Sequence, residues 1–323
     1  MTSPVLVEVT RGGRVESWHR GSLVLLAASG EPELAAGAAA TIYARSALKP
    51  FQAAALRRAG WQGTVEATAL AAASHNAESI HLEGVRRTLS AAGLGEDALG
   101  CPPALPVEQA VVDYVAGGGR PAAVCHNCSG KHAAMVATCV AAGWDVATYL
   151  EPAHPLQVAV RDEIETLCGA RIEQTSVDGC GAPAHALPLT ALARGFAALA
   201  TAAPGSPAAD VVAAMRAHPQ LVGGTGRAVS ELMADCDGLV AKDGAEGVWA
   251  AALPDGRAFA ASLDDGASRA LAPLLAAVLS RWGFAGDAIG RHAAVAVTGG
   301  RGEHVGEVRA SAELIDLLAH HPT

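Results

Sequence analysis

Gly247-Val248-Trp249-Ala250-Ala251-Ala252-Leu253, Pro254-Asp255-Gly256 and Arg257-Ala258-Phe259-Ala260-Ala261-Ser262-Leu263 follow one another without a break. Two apolar runs of strand length flank a proline, an aspartate and a glycine. Proline presets φ, aspartate bonds its own backbone, and glycine accepts a left-handed conformation, so the stretch predicts an antiparallel hairpin. The opening of the chain repeats the theme. Residues 4–10 and 14–28 read as strands, joined by the turn Arg11-Gly12-Gly13-Arg14.

Between these ends the period changes to that of helices. Residues 49–59 and 77–92 carry it, the second through Ile80, Leu82, Val85 and Leu89 to a stop near Gly93. Lys131 to Ala142, opened by Ser129-Gly130, predicts a buried helix, and Gln157 to Leu167 an amphipathic one. Pro183 to Ala203 and Gly266 to Trp282 also read as helical, while the Pro- and Gly-rich residues 100–121 read as connection. Strands at both ends with helices between predict an α+β fold, an antiparallel sheet flanked by helices. We expect a single domain over residues 1–323 with a helical insertion at about 130–235.

With 323 residues, 51% of them hydrophobic, the chain can bury a large core. A net charge of -9 without a basic cluster argues against a nucleic-acid partner. Met1-Thr2-Ser3-Pro4 lacks the basic and apolar regions of a signal peptide, and no uninterrupted apolar run reaches membrane-spanning length. The expectation is a cytoplasmic protein with no membrane partner. Its seven cysteines are then thiols or metal ligands before they are disulfides.

Three polar clusters bear on chemistry. In Arg45-Ser46-Ala47-Leu48-Lys49-Pro50, a serine and a lysine stand three apart, the Ser-x-x-Lys spacing of acyl-transfer enzymes. A neighbouring neutral amine can take the proton that makes a serine hydroxyl a poor nucleophile. The spacing equally fits an N-capping serine with an exposed lysine. Ser74-His75-Asn76 offers a second hydroxyl for a proton relay and an amide to orient substrate, or else helix caps. Cys125-His126-Asn127-Cys128-Ser129-Gly130-Lys131-His132, with Cys180 in Asp178-Gly179-Cys180-Gly181, contains thiols able to reach one zinc ion. Cysteines are also ordinary small core residues. Lys242 suits a substrate carboxylate, although a hairpin turn with a solvated lysine reads more simply, and Thr298-Gly299-Gly300 reads as a glycine turn.

Taken in order, Arg45-Ser46-x-x-Lys49-Pro50, Ser74-His75-Asn76-x-Glu78-x-x-His81, Cys128-Ser129-Gly130-Lys131-His132, His154-Pro155-x-Gln157, Asp178-Gly179-Cys180-Gly181 and Lys242-x-Gly244-Ala245-Glu246-Gly247 resemble one family. It is that of the thermolabile, Rhizobium-etli-type (class 3) L-asparaginases, and the match runs from about residue 5 to about 315. The resemblance implies a fold like that of serine β-lactamases and glutaminases, and hydrolysis of L-asparagine to aspartate and ammonia. It makes Ser46 the nucleophile, Lys49 its base and Ser74 a proton relay. It gives Cys128, Lys131 and Cys180 to a zinc ion, and has His132 and Asp178, with Arg45 and Asn76, orient the substrate. It also suggests a homodimer. One position departs: Ser262 stands where the family carries a second catalytic lysine. The rivals are therefore an amidase for glutamine or another amide, and a zinc-containing homologue that binds an amino acid with weak or no turnover.

Overall fold

The computed structural model describes residues 3–37 and 41–320. Among them the chain forms the strands β1 (Val5–Arg11), β2 (Arg14–Leu26), β3 (Pro32–Ala36), β4 (Thr41–Tyr43), β5 (Gln174–Val177) and β6 (Pro183–Pro188). After a long helical stretch come β7 (Val240–Gly244), β8 (Val248–Ala252), β9 (Ala258–Leu263), β10 (Ala294–Thr298) and β11 (His304–Ala310). The chain divides into two compact units. One comprises Met1–Ala47, Leu187–Ala200 and Glu231–Thr323, the other Leu48–Ala186 and Thr201–Ser230.

The first unit is built on an antiparallel sheet in the order β10-β11-β1-β2-β9-β8-β7, with β3 paired to β2. The α+β reading from strands at both ends of the chain holds, because β1 and β2 lie between the late strands β11 and β9. Both expected hairpins form: β1 with β2 around Gly12-Gly13, and β8 with β9 around Pro254-Asp255-Gly256. The turn at Thr298-Gly299-Gly300 also holds, linking β10 to β11. The helix Leu189–Ala200 packs on β2, β8 and β9. The Trp249 indole N–H donates to Leu271 O at 2.6 Å, tying β8 to the helix Leu271–Arg281.

Directly paired residues share a face of a sheet, and alternate residues along a strand return to it. Lys242 and Gly244 on β7, Ala250 and Val248 on β8, and Ala260 and Ser262 on β9 therefore line one face, opposite that of Trp249. The turn before Ser46 passes over this face. A Cβ built on Gly244 would lie 2.7 Å from Ala44 O and 3.3 Å from Ala47 N, so only glycine admits the approach.

The second unit is helical. Its centre is Ser129–Ala142, where every residue from Ser129 to Cys139 is buried. Around it stand the helices Val65–Ala71, Ser79–Ala91, Lys49–Arg58 and Pro155–Cys168. Small side chains let these axes come close. At Gly130 a Cβ would overlap the carbonyl oxygen of Leu70. None of the helices among the described residues is long and apolar enough to cross a membrane.

Several expectations fail in instructive ways. Pro183–Ala203 is not one helix: Pro183–Pro188 is β6, paired antiparallel with β5, and the helix starts only at Leu189. Proline cannot donate an N–H, so Pro188 serves better as a strand end than inside a helix. The connection 100–121 contains a short helix, Ala110–Ala116, and a bridge between Ala104 and Ala122. The helix expected from Gly266 begins at Leu271, because Gly266 takes a φ of 68° in a turn. Lys242 is not solvated but fully buried, with Nζ bonded to Asp243 O at 2.9 Å and Asp243 Oδ1 at 2.5 Å.

Gly130→Ala sets two effects against each other. Helix propensity alone favours alanine by about 1 kcal/mol. The overlap with a backbone carbonyl that cannot rotate away costs more, about 1–3 kcal/mol. We expect a net loss of stability in urea denaturation; a higher midpoint would show that the two helices can simply move apart.

Candidate active site

The second unit gathers most of the predicted residues. Helix Val65–Ala71 is capped by Ala72, and the chain then leaves regular secondary structure through Ser74, His75 and Asn76. Its backbone donors are taken up one by one: Ser74 N by Val222 O at 2.9 Å, His75 N by Asn127 O at 3.1 Å, and Asn76 N by Gly223 O at 2.9 Å. Neither Ser74 nor Asn76 caps the following helix. That cap is Glu78, in a reciprocal box with His81. The capping alternative for Ser74-His75-Asn76 is thereby removed.

Lys49 opens the helix Lys49–Arg58 and is 2% exposed, so it is not the solvated lysine of the capping alternative; the residue before it, Leu48, occupies the cap position. Its ammonium donates to Ser74 Oγ at 3.0 Å and to Ala73 O. Its charge also helps to lower the pKa of the nearby Cys128 thiol, whose own hydrogen bond goes to Asn127 Oδ1 at 3.2 Å. A buried ammonium needs such acceptors, because removing it from water costs several kcal/mol if it stays unpaired.

The thiol cluster adjoins this lysine. Cys128, at the start of helix Ser129–Ala142, and Cys180, in the glycine-flanked turn after β5, are both buried. Lys131 Nζ lies 3.2 Å from Cys180 Sγ. A hydrogen bond from Cys180 holds the Cys128 thiol well below its usual pKa, and the nearby Lys49 and Lys131 ammoniums add to this against the effect of burial. For Lys131 burial opposes the charge, yet the sulfurs of Cys180 and Cys128 outweigh it and raise the pKa. Cys101, with its thiol directed at Ala123 O, is pushed up to about 12 by burial.

His132 is wholly buried. The Tyr149 hydroxyl accepts from Gly100 N at 2.8 Å and shares a hydrogen bond of 2.6 Å with His132 Nδ1, while Cys180 interacts with the same imidazole. Burial lowers its pKa to about 4. His75 is also neutral, its pKa held well below normal by burial and by His81. Its Nε2 meets Ser129 Oγ at 3.1 Å and Ser129 Oγ donates to Val124 O, so the ring ties the Ser74 segment to the start of the thiol helix. Asp178 Oδ1 accepts from Gly179 N at 2.7 Å within its own turn.

Asn76 is differently placed from what its motif suggests. Its amide donates to Glu78 Oε1 and Thr225 O, both at 3.1 Å, and its Oδ1 accepts from Arg227 at 3.2 Å. Both donors are therefore engaged inside the protein, leaving one acceptor lone pair. A cleft of about 710 Å³ opens beside it, lined by Glu78, Glu108, Asp113 and Tyr114 among others. Arg227, Thr225 and Tyr149 were not found from the sequence. No local motif marks them, and the first two lie about 150 residues from Asn76.

Ser46 belongs to the first unit, in the short turn Arg45–Leu48. Arg45, immediately before it, has a φ of 51°, a left-handed conformation that costs a side-chain-bearing residue about 1 kcal/mol or more. Backbone held this way next to a candidate nucleophile is a mark of functional sites.

Zinc is the metal that the thiols would suit. Two thiolates are favourable donors for it, and Cys128, Cys180 and Lys131 do converge. Among the described residues no group of three His, Cys, Asp or Glu side chains is placed to hold a metal. The donor set fits zinc only if Lys131 gives up its proton and serves as the third ligand.

The family model for L-asparaginase II matches residues 7–310. The chain belongs to the L-asparaginase II family. L-Asparaginases are amidohydrolases, enzymes that cleave a carboxamide with water. Solved structures similar to this chain include Mglu in its tris and glutamate form (19% identity, TM-score 0.43, 80% of this chain and 57% of that one). Mglu in its native form aligns at 18% identity and TM-score 0.43, over 80% and 62% of the two chains. The L-asparaginase II chain thus spans about three-fifths of the length of these structures. No curated protein matches it.

The buried imidazoles set an acid limit. His132 and His185 both have pKa values lowered to about 4 by burial, against 6.5 for a free histidine. Between those values the unfolded chain binds the protons, so stability is complete above about pH 6.5 and falls as pH drops toward 4. Each ring contributes on the order of 3 kcal/mol to that loss. Urea midpoints measured from pH 7 to 4 should decline, and less steeply in His185→Gln; an unchanged slope in that variant would contradict the assignment.

Proposed function

We propose that this protein is an L-asparaginase: an amidohydrolase that cleaves the side-chain amide of L-asparagine through an acyl-enzyme on Ser46. The observation that carries the reading is the buried contact between Lys49 Nζ and Ser74 Oγ. An amine and a hydroxyl at 3.0 Å, shielded from water, form a path along which a proton can move. For this step Lys49 is the neutral amine, its extra proton having first passed to solvent; it then takes the proton of the attacking Ser46 hydroxyl, three residues before it in the chain. The bond from Ser46 to the amide carbon forms as the carbonyl electrons move onto oxygen. Backbone N–H groups near the start of the helix after Ser46 stabilise that oxyanion. Ser74 passes the proton from Lys49 to the departing nitrogen, and ammonia leaves. Water then repeats the attack on the ester, aspartate is released and Ser46 regains its proton.

Arg45, His132 and Asp178 are proposed to orient the α-carboxylate and α-amine. Asn76, with its donors engaged, contributes through its remaining acceptor and by holding Ser74 in line. Cys128, Lys131 and Cys180 would hold zinc, which when bound supplies positive charge for an anionic substrate group. A homodimer in a reducing, cytoplasmic setting completes the proposal, and light scattering checks the dimer.

A second reading, binding with little turnover, is favoured by Ser262. It is half-buried on the same sheet face as Lys242 and Gly244, but the ammonium of Lys242 is turned to Asp243. The two readings separate in one assay. Purified protein should release ammonia from L-asparagine faster than from L-glutamine, and Ser46→Ala should reduce this by about a thousandfold or more. Equal rates on both amides would defeat the asparagine assignment, and undiminished activity in Ser46→Ala would defeat the nucleophile. Separately, Ser262→Lys should raise kcat about tenfold if a missing cation limits the wild type, the barrier falling by about 1.4 kcal/mol. No change would remove that explanation.

A further inference from the structure

We propose that Arg227 is a positioning residue of the substrate site: through Asn76 it fixes an oxygen acceptor that selects α-amino acids over the same compounds without the amine. This role presupposes L-asparagine as the substrate, and it falls to a residue that no sequence motif marks.

The two ends of a carboxamide have nearly the same shape, so its orientation has to be imposed by its partners. Three contacts impose it on Asn76. Nδ2 donates to Glu78 Oε1 and to Thr225 O, both at 3.1 Å, and Oδ1 accepts from Arg227 at 3.2 Å. With the ends exchanged, an N–H would face the guanidinium and the amide oxygen would face two other oxygens. A guanidinium can only donate, so Arg227 is the contact that demands an oxygen. Both amide hydrogens are then engaged, and one lone pair of Oδ1 is left. An acceptor beside the Glu78 carboxylate favours a group that carries hydrogens and positive charge, as an α-ammonium does.

The surroundings hold this amide still. Asn76 is 1% exposed, and it lines the cleft of about 710 Å³ together with Glu78. The loop 223–227 closes on it from backbone and side chain alike, since Gly223 O accepts from Asn76 N at 2.9 Å. The loop is itself braced. Thr225 N and Oγ1 donate to the two Glu78 carboxylate oxygens at 2.7 and 3.0 Å, and Gly224 N donates to Ser230 Oγ at 3.1 Å. Gly224 has a φ of 123°, and a Cβ there would lie 2.6 Å from Asn76 Nδ2. Only glycine lets the loop come this near.

The test is calorimetric titration of the full-length protein with L-aspartate, the product that carries the amine, and with succinate, which lacks it. The wild type should prefer L-aspartate about tenfold or more, as expected of a charge-assisted hydrogen bond. Arg227→Met should bring the two affinities close to parity while that for succinate changes less than about threefold. Arg227→Lys, still a donor, should recover part of the preference. Asn76→Ser should also lose it, and the double variant should lose no more than Asn76→Ser alone, because one residue acts through the other. A purely structural role would weaken both ligands alike. A wild type without preference, a preference intact in Arg227→Met, or losses that add in the double variant would each overturn the proposal. So would a preference intact in Asn76→Ser, which decides if Arg227→Met does not fold. Ammonia release is measured separately: a protein that shows the preference yet frees no ammonia from L-asparagine sinks the enzyme reading and leaves the amine selection standing.

Discussion

A lysine ammonium sealed from water governs the arrangement of the helical unit. Lys49 must be surrounded by acceptors, since an unpaired buried cation would cost several kcal/mol. The acceptors are Ala73 O and Ser74 Oγ, from the segment after the helix Val65–Ala71, and the Cys128 thiol lies near enough for the charge to lower its pKa. That demand fits the end of the helix at Ala71, after which Ala73 O and Ser74 Oγ are open to the ammonium. The backbone of residues 74–76 is tied in turn to Val222, Asn127 and Gly223. The serine and the Cys128 thiol thus lie beside the same charge.

The rest of the packing serves that closeness. Aromatic residues make up only 4% of the chain, and the core is filled largely with alanine, leucine and valine. Small residues bury little area each, but they let backbones approach. Gly130 against Leu70 brings two helices together beneath the thiol cluster, and Gly244 against Ala44 and Ala47 brings β7 beneath the turn of Ser46. His75 adds a rigid strut, stacked on His81 at 5.0 Å and bonded to Ser129. Within each unit, small residues thus set how closely its polar groups approach.

What could be read from the sequence was local. The hairpin at 254–256, the strands at both ends and the helices around Lys49, Ser79 and Ser129 follow from period and turn residues a few positions apart. The strand Pro183–Pro188 was missed because its partner Gln174–Val177 supplies the structure, and neither piece has a decisive pattern of its own. In the site, Ser74, Lys49, Cys128, Lys131 and Cys180 were legible as residue types in motifs, and the helical unit does bring them together. Which atom meets which was not. Spacing joined Lys49 with Ser46, whereas its recorded hydroxyl partner is Ser74, 25 residues away. Asn76 looked like a free amide until Arg227 and Thr225 engaged it from the far side of the sequence. Lys242 looked solvated because a turn follows it, but burial depends on what covers a strand, which no window of sequence contains.

The order of strands in the sheet carries a consequence for how the molecule is made. Gly21 pairs with Leu263 and Val7 with Ala310, so the early hairpin finds neither neighbour until most of the polypeptide has left the ribosome. Sheets closed by such distant partners fold slowly and leave edges bare in the meantime. The helical unit, built mostly from one continuous run, has no such wait. Assembly is therefore expected to begin around the buried lysine, with the sheet zipping shut last.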